Sequence, residues 1–123
     1  MKVRFTGAEG HEQSVRQGAD ALRQGQVYVV LEAYCQADGP NYFRIEFRRG
    51  ELPPLFDSRL FEVVDSEVHS SWVVSTEWEG SLTMAPAAWQ VPGFWEKFMD
   101  HFPGAFEIYE VGRDALMAGK SPL

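Results

Sequence analysis

The sequence contains few of the side chains on which disulfides, metal sites and catalysis usually depend. Cys35 is its only cysteine, so no disulfide can form within the chain, and a reducing, cytoplasmic location is expected. The three histidines, His11, His69 and His101, are far apart and have no partner cysteines. This pattern argues against a structural metal site. We therefore predict no metal and no cofactor.

Sequence motifs of enzymes are missing as well. Gly7 and Gly10 are isolated, so there is no glycine-rich phosphate loop, and no serine lies in a nucleophile elbow. Cys35 falls within a strand-like pattern, where we expect a buried, inert thiol. Glu96 and Asp100 lie one helical turn apart, but paired carboxylates on an exposed helix are usually surface charge rather than an acid–base pair. The sequence predicts a protein that is not an enzyme.

Long apolar runs are also absent. The longest stretch without charge, residues 80–95, contains Pro86 and Pro92 and is typical of strand and loop rather than of a membrane span. The first residues, MKVRFTG, enter an alternating pattern directly, so no signal peptide is expected. These features predict a soluble protein without a membrane partner.

Basic residues are scarce in one part of the chain. Residues 1–50 contain seven Lys/Arg and six Asp/Glu, whereas residues 51–110 contain eleven Asp/Glu and only Arg59 and Lys97, a net charge of −9. A surface of this charge repels phosphate backbones and attracts cationic partners. The simpler interpretation is that acidic surfaces keep a protein soluble. We predict no nucleic-acid partner and expect a basic protein partner.

The patterns that are present predict strands first and helices last. Residues 2–6 and 27–35 are strand-like, and residues 7–26 are polar, glycine-punctuated and able to hold at most one short helix. Residues 42–48 alternate strictly, which predicts a hairpin with residues 27–35. The alternation places two sets of side chains on opposite faces, Phe43, Ile45 and Phe47 on one and Tyr42, Arg44, Glu46 and Arg48 on the other.

The second half of the chain changes period near Pro92. An edge segment at 55–58 and a strand at 59–65, with Phe61 and Val63 directed inward, precede a second hairpin around the Glu79-Gly80 turn. A helix follows Pro92, and Pro103 ends it and begins another. The first helix carries an apolar stripe at helical spacing, made of Phe94, Trp95, Phe98, Met99 and Phe102.

These elements together predict a mainly β (α+β) fold. We expect an antiparallel small barrel or a strongly curved sheet, with a C-terminal helical segment packed on it. The 123 residues fit one domain, divided into barrel-like strands at 1–65, the second hairpin at 66–85 and the helical segment at 86–118.

Part of the sequence resembles a known family. The stretches MKVRFTG, LRQGQVYVVL, NYFRIEFRRGE and PPLFDSRLFEVVD resemble the strands of small five-stranded bacterial barrels of the Src-homology-like (SH3-like) kind. The resemblance covers residues 1–65 and implies which strands pair, not what is bound. An insertion at residues 8–20 departs from that pattern and lengthens the first loop. The tail, from Trp89 to Ala105, is similar to immunity-type proteins of toxin systems, which implies an inhibitor of a toxin.

Two functional hypotheses follow. The first is a protein-binding module of immunity type, which covers a basic toxin or effector domain through an acidic, aromatic-rich surface. The second is a small-ligand or peptide-binding barrel with a groove between the sheet and the tail helix; a non-enzymatic protein of another kind also stays open. The first hypothesis assigns partner contacts to Glu77, Trp78, Glu79, Trp95, Glu96, Asp100, Glu107 and Glu110.

Overall fold

The computed structural model describes residues 1–76 and 80–119. The strands within these residues are β1 (Lys2–Phe5), β2 (Val27–Val29), β3 (Glu32–Gln36), β4 (Tyr42–Arg44), β5 (Leu55–Asp57), β6 (Phe61–Asp65), β7 (Trp72–Ser75) and β8 (Ser81–Pro86). The helices are α1 (Gln13–Arg16), α2 (Phe94–Met99) and α3 (Pro103–Ala118), and 3₁₀ turns lie at Ala19–Ala21, Ser58–Leu60 and Ala87–Gln90.

The strands form two antiparallel sheets. One has the order β2-β1-β6, and the other has the order β5-β4-β3-β8-β7. The predicted fold class is confirmed, because antiparallel sheets are followed by a C-terminal helical segment. The sheets do not close into a barrel. Both predicted hairpins are present, as β3–β4 and as β7–β8, and the predicted edge segment is the edge strand β5.

The predicted single strand at 27–35 is wrong, because the chain leaves one sheet and enters the other within it. β2 pairs with β1, whereas β3 pairs with β4 and β8. Between them, the backbone N–H of Val30 donates to Met1 O (3.0 Å) and that of Leu31 donates to Arg44 O (2.9 Å). Val30 and Leu31 are both fully buried. Val30 belongs to the first core and Leu31 to the second, so both are buried although they are adjacent in the chain. In a strand with one buried face, only every second residue would be buried.

The molecule has two cores. The first lies between the two sheets, against β1, β4 and β5, and contains Val3, Phe5, Val15, Ala19, Leu22, Val30, Ile45, Phe56 and Leu60. The second lies between the five-stranded sheet and the helical segment and contains Leu31, Ala85, Trp89, Phe94, Phe98, Ala105, Tyr109 and Leu116. Trp72 packs against both. The part of the sheet that carries β3 and β4 is therefore covered on both faces.

Burial on both faces of this sheet includes residues from both sides of the predicted alternation. Arg44 and Glu46, predicted on the opposite face from Phe43, Ile45 and Phe47, have side chains that are only 10% and 4% exposed. Ile45 is buried, but β4 ends at Arg44 and Phe47 is 39% exposed. Val63, on the edge strand β6 of the smaller sheet, was predicted to point inward, and this is wrong because it is 50% exposed.

The helical segment begins and breaks at the predicted prolines. Pro103 occupies the first turn of α3, where its missing N–H needs no partner. Phe94 and Phe98 are buried as the apolar stripe predicts, but Met99 and Phe102 are 57% and 53% exposed. The stripe fails at Phe102 because α2 ends at Met99, so Phe102 no longer follows the face of that helix. Met99 is the last residue of α2 and lies at the exposed edge of the stripe.

Gly112 of α3 lies against the ring of Trp89. A Cβ at this position would be 2.9 Å from Trp89 Cζ2, and that ring is buried and stacked on Tyr109. Gly112→Ala should therefore lower the free energy of unfolding by about 1–3 kcal/mol through overpacking, although alanine is the better helix former. Gly104→Ala in the same helix is the control, since nothing lies within 4 Å of its added Cβ. Denaturant unfolding of both variants measures the difference. Equal stability of Gly112→Ala and Gly104→Ala would contradict the close packing of Gly112 on Trp89.

Candidate functional site

A groove lies between the five-stranded sheet and the start of the helical segment, where the second hypothesis places one. We call it the sheet–helix groove. Its volume is about 520 Å³. Its floor is formed by side chains of β3, β4, β7 and β8, and its wall by residues 89–96. The lining comprises Glu32, Tyr34, Arg44, Leu55, Ser75, Thr83, Trp89, Gln90, Val91, Pro92, Gly93, Phe94, Trp95 and Glu96.

Strand register explains why the floor is polar. Glu32 and Tyr34 are two residues apart on β3, so their side chains share a face of the sheet. Arg44 of β4 is directly opposite Glu32, and Thr83 of β8 is directly opposite Tyr34. Cross-strand neighbours of this kind have side chains in contact range. The register therefore gathers two charged and two hydroxyl side chains from three strands.

Glu32 and Arg44 form a buried ion pair at the floor of the groove. Glu32 Oε2 lies 3.6 Å from Arg44 Nε, and the two residues are 5% and 8% exposed. Arg44 Nη1 also donates to Pro53 O at 2.6 Å, and the guanidinium lies 4.2 Å from the centre of the Trp95 ring. Arg44 is thus held from three sides.

Burial shifts the pKa values of both members of this pair. Burial raises the pKa of Glu32, against the opposing effects of the Arg44 charge and of a hydrogen bond from the Trp95 side chain. Burial likewise lowers the pKa of Arg44, which the Glu32 charge opposes. For Glu32, the cost of burying the charged carboxylate is therefore larger than the stabilisation that Arg44 provides. A further cation nearby would stabilise the ionised form of Glu32.

A second polar cluster joins α3 to the loop after β4. Glu46 accepts hydrogen bonds from the Tyr109 hydroxyl and from Arg113 Nε (3.0 Å). Arg49 bridges this cluster to Glu110, with Nη2 2.5 Å from Glu110 Oε2. Burial and the hydrogen bond to Glu46 raise the pKa of Tyr109 far above its usual range. These contacts are internal and fix α3 in place, so we assign the cluster a structural role.

The sequence-predicted partner residues are dispersed. Glu77, Trp78 and Glu79 lie outside the described residues. Trp95 is half-buried and packs against the rings of Trp89, Phe94, Phe98 and Tyr109, so it belongs to the second core as well as to the groove wall.

The four predicted carboxylates of the helical segment have different surroundings. Glu110 is paired with Arg49 and has a side chain that is only 21% exposed. Glu96, Asp100 and Glu107 are exposed, and Glu96 also lines the sheet–helix groove. Apolar side chains are exposed on the same segment, namely Val91, Met99, Phe102, Phe106, Ile108 and Val111.

The floor of the groove was missed by sequence reasoning. Glu32 is a single carboxylate inside the apolar stretch VYVVLEAYC, and a charge in such a stretch needs a buried partner. That signal was available, but the partner Arg44 could be identified only from the strand register. Tyr34 and Thr83 carried no signal, because both are ordinary strand residues.

Cys35 and the histidines lie outside the sheet–helix groove. Cys35 is half-buried rather than buried, which corrects the expectation for its thiol. Within residues 1–76 and 80–119, no three His, Cys, Asp or Glu side chains are grouped so that they could hold a metal ion. No helix in the described part of the chain has the length and apolar character needed to cross a membrane.

Comparisons with protein-family models, with curated proteins and with solved structures found no match.

Proposed function

We propose that this protein is a protein-binding module that recognises a basic partner, and specifically an immunity-type inhibitor that covers a basic toxin or effector domain. The observation that carries the proposal is the exposed surface of the helical segment. That segment exposes apolar side chains and three carboxylates, those of Glu96, Asp100 and Glu107, that form no ion pair within the described residues. We call this the acidic–apolar surface and define it by Asp100, Phe102, Glu107, Ile108 and Val111.

The apolar residues supply what a docking contact needs. Phe102 and Ile108 are 53% and 45% exposed, and Val111 is 75% exposed. Phe102 and Ile108 also border a shallow cavity of about 350 Å³ between α2 and α3. Exposed apolar side chains clustered within a polar rim are characteristic of protein interfaces, where a few desolvated anchors carry most of the affinity.

The carboxylates determine the expected charge of the partner. Asp100 and Glu107 are exposed on the same helical segment as these anchors, in the part of the chain whose net charge is −9. A toxin domain that acts on nucleic acid must be cationic to hold its substrate. An acidic inhibitor is attracted to such a domain over long range and then docks through its apolar contacts.

The sheet–helix groove supports a second candidate, a small-ligand or peptide-binding protein. Its volume of about 520 Å³ is within the range of about 300–1,000 Å³ that is usual for ligand sites. Aromatic walls and a polar floor are also the usual composition of such sites. The two candidates are compatible if the groove accepts part of the protein partner.

Identification of a partner and its binding kinetics test the proposal. Affinity capture from the source cells, followed by purification of the captured protein, should yield a basic partner whose association slows as salt concentration increases. Asp100→Lys/Glu107→Lys should slow association several-fold and weaken its salt dependence. Glu9→Lys/Asp38→Lys, which changes the net charge equally at exposed positions outside the helical segment, is the control.

Substitution of an apolar anchor should change the dissociation rate constant rather than the association rate constant. Phe102→Ala should accelerate dissociation and leave association nearly unchanged, because apolar anchors act after the encounter. From the sequence we also predict slower association for Glu77→Lys/Glu79→Lys and faster dissociation for Trp78→Ala. An acidic partner, or a basic partner whose kinetics are the same for the helical-segment and control variants, would contradict the proposal.

A further inference from the structure

We propose that the sheet–helix groove receives a cationic side chain, arginine or lysine, of the protein partner. This inference rests on the proposed function and adds a specific contact to it. It concerns the groove floor and mouth formed by Glu32, Tyr34, Arg44, Thr83, Trp95 and Glu96, which the acidic–apolar surface does not include.

The charges that line the groove do not balance. Two carboxylates, Glu32 and Glu96, and one guanidinium, Arg44, are its formally charged lining groups. Arg44 is already held by Pro53 O, the Trp95 ring and Glu32. Glu96 is exposed at the groove mouth and makes no ion pair with any residue of the described chain. One further positive charge would therefore neutralise the lining.

Burial of the Glu32 carboxylate strengthens the expected attraction between the groove and a cation. Glu32 is 5% exposed, and burial raises its pKa even with Arg44 beside it. A cation close to a desolvated carboxylate interacts more strongly than the same cation on an exposed surface, because the local dielectric is lower. An anionic group in the groove would instead face two carboxylates, and an apolar group would desolvate Glu32 further without compensation.

The groove walls suit an extended cationic side chain. Trp95 and Tyr34 are half-buried, so each presents part of its ring to the groove. Arg44 lies over the Trp95 ring at 4.2 Å, so an incoming cation would pack beside Arg44, against the exposed part of that ring and the Tyr34 ring. Aromatic faces attract such cations, and they pack against the aliphatic part of Arg or Lys.

Short model peptides can test this contact with the full chain. The probes are acetyl-Gly-Arg-Gly-amide, the same peptide with citrulline in place of arginine, and the same peptide with glutamate. Citrulline has almost the shape of arginine but no charge. In an NMR titration, the arginine peptide should shift the Trp95 indole and the Glu96 amide signals in a saturable manner. The citrulline peptide should bind about tenfold more weakly, and the glutamate peptide should not bind.

Variants of the chain locate the contact. Glu96→Gln should weaken binding of the arginine peptide about threefold or more, whereas Glu9→Gln, which removes an exposed carboxylate outside the groove and the acidic–apolar surface, should not change it. Thr83→Lys would place a cation of the chain itself at the groove floor and should abolish binding. Equal binding of the arginine and citrulline peptides, or equal effects of Glu96→Gln and Glu9→Gln, would overturn the inference.

The outcomes separate this inference from the proposed function. If a basic partner binds through the acidic–apolar surface but tolerates Glu96→Gln and Thr83→Lys, the groove inference fails and the proposed function stands. If the arginine peptide occupies the groove but no basic protein partner is found, the groove contact stands and the proposed function fails.

Discussion

Phe98→Ala should lower the free energy of unfolding by about 3–5 kcal/mol, because it removes a buried aromatic ring and leaves a cavity. Phe98 is 7% exposed in the second core. Its ring centre lies 5.0 Å from that of Tyr109 and 5.8 Å from that of Trp95, so the substitution removes contacts within α2 and between α2 and α3. Denaturant unfolding monitored by tryptophan fluorescence and by circular dichroism measures the loss.

Phe102→Ala is the matched control, since it makes the same chemical change four residues further along. Phe102 is 53% exposed, so we expect its removal to change stability by less than about 1 kcal/mol. Losses of similar size in the two variants would show that the helical segment does not dock on the sheet through Phe98.

Arg44→Met should lower the free energy of unfolding at neutral pH by about 3–5 kcal/mol, because it leaves a buried carboxylate without its counter-charge. Glu32 would lose the guanidinium 3.6 Å away, and Pro53 O would lose its donor. Methionine preserves much of the side-chain volume, so a cavity contributes little. The comparison of wild type and variant at several pH values then reports on the charge.

The loss of stability in Arg44→Met should be smaller at pH 5 than at pH 8. Burial raises the pKa of Glu32 in the folded protein above its ordinary value of 4.5, and removal of Arg44 raises it further. Between 4.5 and this folded pKa, the unfolded chain releases the proton while the folded chain keeps it. Increasing pH therefore favours the unfolded state over that interval. Lower pH neutralises Glu32 and restores part of the stability.

A double variant controls for effects other than charge. Glu32→Gln/Arg44→Met removes both charges, so it should recover most of the stability that Arg44→Met loses and should lack the additional dependence on pH. If the double variant were no more stable than Arg44→Met, or if the loss were equal at pH 5 and pH 8, the buried charge of Glu32 would not be its cause.

Local signals in the sequence were sufficient for most of the secondary structure. Pro92 and Pro103 located the helical segment, and alternation located the two hairpins, because both depend on residues close in sequence. The crossing at Val30 and Leu31 was not predictable in this way. It depends on the presence of two cores, one on each side of β3 and β4, and a continuous β-prone run has no marker for the point at which it changes sheets.

The candidate site depended on long-range contacts and was therefore largely missed. Arg44 and Glu46 alternate with Phe43 and Ile45, so the pattern placed the two pairs on opposite faces of the strand. It did not show that the face of Arg44 and Glu46 is covered. The helical segment, more than forty residues later in the chain, covers that face. The carboxylates of Glu96 and Asp100 are exposed, as their positions off the apolar stripe predicted, since amphipathic spacing is a local property.

Val30 and Leu31 connect the two cores of the molecule. Neighbours in the chain belong to different cores, and Trp72 touches both. We therefore expect a shift of β3 that accommodates a guest in the sheet–helix groove to reach the first core through Val30 and Trp72. Substitutions in the first core would then change binding in the groove although they do not touch it.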